Sequence, residues 1–297
     1  MVPTLQPGQE VVAVDTRPPE PGNLVVFEHP GRPDFWLIKR LADDTGWISS
    51  DNEEASDTDS RTLGRLPLDG LMPVVERLDE ETFRLAVDLL TAEDEGLARV
   101  VERWGLPEFW HRRPGFETLV LLILEQQVSL ESGAAMYRRL AGLLGEVSPE
   151  NTLAAGPEQL RAIGVTRQKT GYLIELSRML VEGELELETL ESQPVAMARG
   201  TLIAIKGIGP WTADAYLLSA SRRPDLWPVG DRALQVGTAE TLEMSRAPDE
   251  EQLELLGEPW RPIRAAAARL IWHAYLSERG RVEPPDPTQA HEVVADA

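Results

Sequence analysis

The sequence predicts a multidomain chain of two classes: a β-rich segment over residues 1–78, an all-α domain over residues 79–282, and a flexible tail over residues 283–297. Three observations carry this. At 297 residues the chain is long enough for two domains. Its opening is rich in Pro, Gly and Asp around short apolar runs, the texture of strands joined by turns. From Asp79 onward apolar residues recur at helical spacing instead.

Taken in order, the candidate strands are residues 10–14, 24–27 and 35–38, separated by the turn pairs Pro21-Gly22 and Pro30-Gly31. Phe83, Leu85, Ala86, Leu89 and Leu90 then mark one face of a helix that Asp79 is placed to cap. Further helices are expected over 95–104, 116–144, 157–163, 167–181, 194–203, 210–220 and 260–276, with another beginning near Arg232. Pro284, Pro285 and Pro287 give the final segment the character of a loose tail. No internal repeat is visible.

Composition narrows the chemistry. Apolar residues make up 42% and charged residues 27%, ordinary values for a globular protein. The longest apolar run, 119–124, is far too short to span a membrane, and no signal peptide is recognisable. There is no cysteine, which excludes disulfides, thiol catalysis and iron–sulfur clusters. His29, His111, His273 and His291 lack metal-ligand spacing, so no metal and no cofactor is expected. A net charge of −21 opposes contact with phosphates. Around residues 200–236, however, Lys206, Arg222, Arg223 and Arg232 balance Asp214, Asp225 and Asp231, leaving a near-neutral island.

The most informative stretch is Leu202-Ile203-Ala204-Ile205-Lys206-Gly207-Ile208-Gly209-Pro210-Trp211-Thr212-Ala213-Asp214. Apolar helix positions lead into Gly-x-Gly, and Pro210 suits a first helical turn. The two glycines permit a tight turn and close approach to another molecule. The helix that follows presents free N–H groups, which suit an anionic phosphate, with Lys206 adding charge. Gly-x-Gly by itself equally describes a plain helix–turn–helix connection.

The longer string resembles the hairpin of the helix-hairpin-helix DNA glycosylase superfamily, in particular its 3-methyladenine DNA glycosylase II family. The resemblance runs from about residue 90 to 276. Phe116-Glu117-Thr118-Leu119 with Glu125-Gln126-Gln127-Val128-Ser129 resembles that family's Gln-Gln-x-Ser helix. Gly164-Val165-Thr166-Arg167-Gln168-Lys169 resembles its Gly-hydrophobe-Ser/Thr-x-x-Lys turn. Trp227-Pro228-Val229-Gly230-Asp231 resembles its aromatic-Pro-x-Gly-Asp segment. Trp260-Arg261-Pro262-Ile263-Arg264 and Trp272 resemble its Trp-x-Pro-x-Arg and distal Trp.

The resemblance implies a catalytic role for Asp231. A fixed anion beside the sugar stabilises the positive charge that develops as the base departs, and can orient the attacking water. Asp231 is equally placed to cap the helix near Arg232, and one carboxylate can do both. The resemblance also implies DNA contacts by Lys206, Gly207, Ile208, Gly209 and Thr212. It implies a base pocket walled by Trp211 and Trp272, whose faces attract cationic alkylpurines; core packing is the alternative for each. A family tyrosine four residues beyond the matching Trp is replaced by Ala215, while Tyr216 faces elsewhere. Gln127 falls at the family's wedge position, which fills the gap left by a flipped base; a helix-end glutamine bonded to its own backbone is the other reading. Bifunctional relatives carry a lysine nucleophile where Trp211 stands, so simple hydrolysis is expected.

The opening Met1-Val2-Pro3-Thr4-Leu5-Gln6-Pro7-Gly8-Gln9 resembles the type I signal peptidase fold. Leu37-Ile38-Lys39-Arg40, Ser50-Asp51-Asn52, Ser56 and Asp59-Ser60-Arg61-Thr62-Leu63-Gly64 resemble its lysine strand and later boxes. The family's nucleophilic serine precedes the methionine matching Met1, so the expectation is a degenerate dyad in which Lys39 is an ordinary lysine, or a start lying further upstream. The reading as a whole is thus a monomeric cytoplasmic, nucleoid-associated repair glycosylase acting on double-stranded DNA. A DNA-binding hairpin protein without chemistry and a serine/lysine peptidase are the competing functions.

Overall fold

The computed structural model describes residues 11–15, 17–51, 58–109 and 112–289. The chain divides into two compact units, Met1–Leu78 and Asp79–Ala297.

In the first unit, β1 (Leu24–Glu28), β2 (Trp36–Leu41), β3 (Ile48–Ser49) and β4 (Met72–Pro73) form an antiparallel sheet in the order β3-β2-β1-β4. β1 and β2 pair from Leu24 opposite Arg40 to Glu28 opposite Trp36. Alternation decides the faces: Val25, Phe27, Leu41 and Ile48 close into a buried cluster with Leu66 and Leu71, whereas Trp36 and Ile38 point outward. A single-turn helix α1 (Ser60–Leu63) is capped by Asp59. Of the strand expected at 10–14, Glu10 lies outside the described residues and the rest forms one bridge, between Ala13 and Val74. The strand expected at 35–38 starts one residue later and continues to Leu41. β3 and β4 are too short to show a period of two, which is why the sequence does not reveal them. Met1–Gln9, Asn52 and Ser56 lie outside the described residues.

The second unit is helical: α2 (Glu80–Glu93), α3 (Glu95–Trp104), α4 (Phe116–Glu125), α5 (Leu130–Leu144), α6 (Pro149–Ala162), α7 (Arg167–Val181), α8 (Val195–Ile203), α9 (Pro210–Ser219), α10 (Arg232–Thr241), α11 (Glu250–Gly257) and α12 (Arg264–Ser277). Asp79 caps α2 in a reciprocal capping box with Thr82. α2 and α3 pack with α10 and α12, while α4 to α9 form the other lobe around α4, whose residues from Thr118 to Glu125 are all buried. A helix apolar on every side belongs at the centre of such a lobe.

The helix expected over 116–144 is two helices, broken at Gln126–Ser129, where Gln127 takes a left-handed φ of 58°. The helix expected from 157 starts at Pro149 under a Ser148 cap and is interrupted at Gly156, φ 69°. α11 escapes the apolar pattern; an Asp249–Gln252 capping box starts it. The expected loose tail is corrected in its first part. Glu283 pairs with Arg269, and Pro287 is buried in a short 3-10 turn packed on α4 and α5. Residues 290–297 lie outside the described residues. No described helix is long and apolar enough to cross a membrane.

Candidate active site

The hairpin joins α8 to α9. Gly207 has φ 94°, a conformation that L side chains avoid, and a Cβ there would lie 2.2 Å from Cγ of Tyr172. Gly209 differs: its φ of −88° suits any residue, and nothing in the protein lies within 4 Å of a Cβ placed there. The fold itself therefore demands the first glycine, and the second leaves open space beside the start of α9. No side chain caps that start, so its first N–H groups are available to an outside acceptor. Ile205 and Ile208 are buried and anchor the turn, while Lys206 is exposed.

Asp231 sits at the N-cap of α10 and its Oδ1 accepts from the Leu234 amide at 2.7 Å. Trp272 Nε1 donates to the same oxygen at 3.0 Å, and Trp211 Nε1 donates to Oδ2 at 2.6 Å. An ionised carboxylate has about four acceptor sites, so these three donors leave one for a ligand. The segment carrying Asp231 is braced from behind. Asp225 accepts from both Arg261 and Arg264, and Trp227 is locked edge-on to Trp260, 5.2 Å between centroids. Trp227 Nε1 also donates to the Leu253 carbonyl, and Gly257 leaves room for that indole.

A pocket of about 290 Å³ opens at this carboxylate. Trp211, Ala215 and Leu218 of α9, Trp272, Tyr275 and Leu276 of α12, and Leu122 and Glu125 of α4 line it with Asp231. Both tryptophans are partly exposed walls, not core residues. Ala215 leaves space in the lining, and Tyr216 faces the other way, fully buried, its hydroxyl accepting from the Gly115 amide at 2.8 Å. Among the described residues no group of three or more His, Asp or Glu is placed to hold a metal.

The turn between α4 and α5 reaches this region. Gln126 Nε2 donates to the Gly207 carbonyl at 2.8 Å and to Thr212 Oγ1 at 3.0 Å. Lys169 Nζ donates to the Leu124 and Gln126 carbonyls at 2.7 and 2.9 Å, ending α4, and its burial pulls the amine below the usual lysine range. Gln127 stands exposed at the apex in its left-handed conformation.

Comparison with known proteins finds relatives of the helical unit. Residues 120–262 match the model of the HhH-GPD superfamily of base excision DNA repair proteins. The crystal structure of a DNA-3-methyladenine glycosidase from Bacillus halodurans is 29% identical and superposes with a TM-score of 0.56, over 67% of this chain and 92% of that one. The helical unit shares the fold of that structure. The 3-methyladenine DNA glycosylase of Schizosaccharomyces pombe, solved with abasic DNA, shares that fold at a TM-score of 0.59 and 24% identity, over 63% and 95% of the two chains. DNA-3-methyladenine glycosylase 2 of Escherichia coli is 30% identical over 179 residues, 54% of this chain and 60% of that protein. A DNA-3-methyladenine glycosylase of Bacillus subtilis is 28% identical over 180 residues, 57% of each chain. The chain thus spans about three fifths of the length of these curated relatives.

Within the helical unit the structure brings Asp231, Trp211 and Trp272 together at one pocket, with the hairpin leading into it through α9. Two residues read from sequence as DNA contacts turn their side chains into the protein. Thr212 is 2% exposed and accepts from Gln126, and Ile208 is 3% exposed with its amide donating to Ile205. Both hold the hairpin from inside. Gln126, Lys169 and Glu125 are functional candidates that sequence reasoning passed over. All three belong to quoted motifs, but which atoms Gln126 and Lys169 would grip depends on segments more than 40 residues away.

Proposed function

We propose that the helical unit is a monofunctional DNA glycosylase that releases alkylated purines of the 3-methyladenine type from double-stranded DNA. The observation that carries the reading is the Asp231 carboxylate, held by Trp211, Trp272 and the start of α10 at the mouth of a pocket beside the hairpin. The names of the relatives point to the same chemistry.

The steps follow from the residues. Lys206 and the amides around Gly209 grip a phosphate, and Gln127 enters the duplex as the damaged nucleotide swings out. The base lodges against the faces of Trp211 and Trp272, which favour its cationic ring. As the C1′–N bond breaks, its electron pair leaves with the base, and Asp231 stabilises the cationic sugar. Water then adds to C1′, its proton passing to Asp231 or to solvent. Trp211 stands where a bifunctional enzyme would need an amine, and its indole N–H is committed to Asp231, so no Schiff base forms there.

The test is incubation of the full chain with methylated duplex DNA and chromatography of the released bases. Release of 3-methyladenine by the native chain and its loss in Asp231→Asn support the reading. Tight binding to intact and damaged duplexes alike, without release, would favour the hairpin as a plain DNA-binding module.

For the β-rich unit the reading is a signal-peptidase-like module in which Lys39 is structural. Its Nζ donates to Ser50 Oγ at 2.7 Å, beside the Arg40–Asp51 ion pair. Lys39-dependent cleavage of a leader peptide would contradict this.

A further inference from the structure

The pocket wall that includes Glu125 carries an ion pair that the steps above leave unused. Glu125 ends α4, and Arg112 precedes that helix; their side chains are 5% and 13% exposed. Arg112 reaches both carboxylate oxygens, each at 3.3 Å, long for charged partners. Burial pushes the Glu125 carboxyl above its usual range, and Glu283 and Asp286 add to the effect against the pull of Arg112. Every other residue of α4 from Thr118 onward is uncharged. A buried pair of this kind is seldom better for stability than well-packed apolar residues. The fold nevertheless makes room for it: a Cβ at Gly133 of α5 would lie 2.5 Å from Glu125 Cγ. Both members of the pair line the same pocket as Asp231.

We infer that Glu125 is a specificity-determining residue that reads the amino edge of an extruded 7-alkylguanine, with Arg112 holding its carboxylate in place. The inference rests on the glycosylase reading and names a base within it. A carboxylate only accepts hydrogen bonds and a guanidinium only donates. Guanine presents two neighbouring donors, ring N1–H and the N2 amino group, which match two carboxylate oxygens in parallel. Adenine offers one amino group beside an N1 acceptor, which a carboxylate repels. Alkylation at N7 makes the guanine ring cationic and its N1–H a stronger donor, so the bond to a buried carboxylate is charge-assisted. The two long contacts to Arg112 leave each oxygen acceptor capacity for such a partner.

The experiment measures 7-methylguanine and 3-methyladenine released from the same methylated duplex by the full chain. Glu125→Gln replaces one acceptor by a donor. The expected result is a fall of at least tenfold in the rate for 7-methylguanine with less than threefold change for 3-methyladenine. Because Glu125→Gln leaves Arg112 buried without its ion-pair partner, a second variant, Arg112→Met with Glu125→Met, removes both charges together. It should show the same selective loss with thermal stability retained. Equal loss of both bases, an unchanged ratio, or native release of 3-methyladenine without 7-methylguanine overturns the inference and leaves the glycosylase reading standing. Absence of any release by the native chain defeats that reading, and this one with it.

Discussion

The two hairpin glycines make a paired prediction with opposite outcomes. In Gly207→Ala the new methyl meets the Tyr172 ring at 2.2 Å, and the backbone φ of 94° is unfavourable for any L side chain. The contact falls on Cγ at the root of the ring, so a small side-chain rotation does not relieve it. Left-handed strain costs about 1–2 kcal/mol and overpacking about 1–3 kcal/mol, together roughly 2–5 kcal/mol. At about 2–4 °C per kcal/mol for a unit of this size, the helical melting transition should fall by roughly 4–20 °C. Gly209→Ala places its methyl in open space with an ordinary backbone conformation. Its stability should change by less than about 1 kcal/mol, because the entropy removed from the unfolded chain opposes the weakness of alanine as an N-cap. Its methyl stands where the phosphate is proposed to dock, and losing a charge-assisted hydrogen bond of about 1.5–3 kcal/mol weakens DNA binding roughly 10- to 100-fold. Circular dichroism melting and fluorescence anisotropy with a duplex at fixed salt provide the two readouts. If the two variants melt together, or if Gly209→Ala binds DNA as well as the native chain, the division of labour between these glycines is wrong.

Three further outcomes are expected. Asp231→Asn keeps an oxygen for the Leu234 amide, so melting should move by no more than a few degrees while base release in single-turnover assays falls about 10²–10³-fold. Lys169→Met leaves the Leu124 and Gln126 carbonyls without their ammonium donor and loosens the turn bearing Gln127. Excision from a fully paired duplex should fall roughly tenfold, a loss of about 1.4 kcal/mol, and less from a lesion opposite an abasic site, where flipping is easier; equal losses would deny a role in base extrusion. The Arg61 side chain hydrogen-bonded to Asp59 draws that carboxyl down to about 2 from 3.8. A carboxylate depressed on folding stabilises above its unfolded value and loses that contribution as pH falls through its folded one. Protection of the β1 and β2 amides against hydrogen exchange should therefore hold from pH 7 to about pH 5 and decline below about pH 4, with Asp59→Asn flattening the decline.

The chain's own order of residues determined the local elements. The change from Pro- and Gly-rich turns to helical spacing at Asp79, the Asp79 cap and the Gly207–Pro210 turn all depend on neighbours within a few positions, and all were legible. Elements whose cause is remote were not. The break at Gln127 interrupts a pattern that reads as one helix; Lys169 and Gln126 hold it open by bonds to carbonyls and side chains 43 to 86 residues distant. The site divides in the same way. Motifs marked Asp231, Trp211 and Trp272, but only packing α9, α10 and α12 together aims two indole N–H groups at one carboxylate. Packing likewise turned Thr212 and Ile208 inward and set Glu125 against the pocket, because a side chain's partner is a property of space, while its helix is a property of sequence.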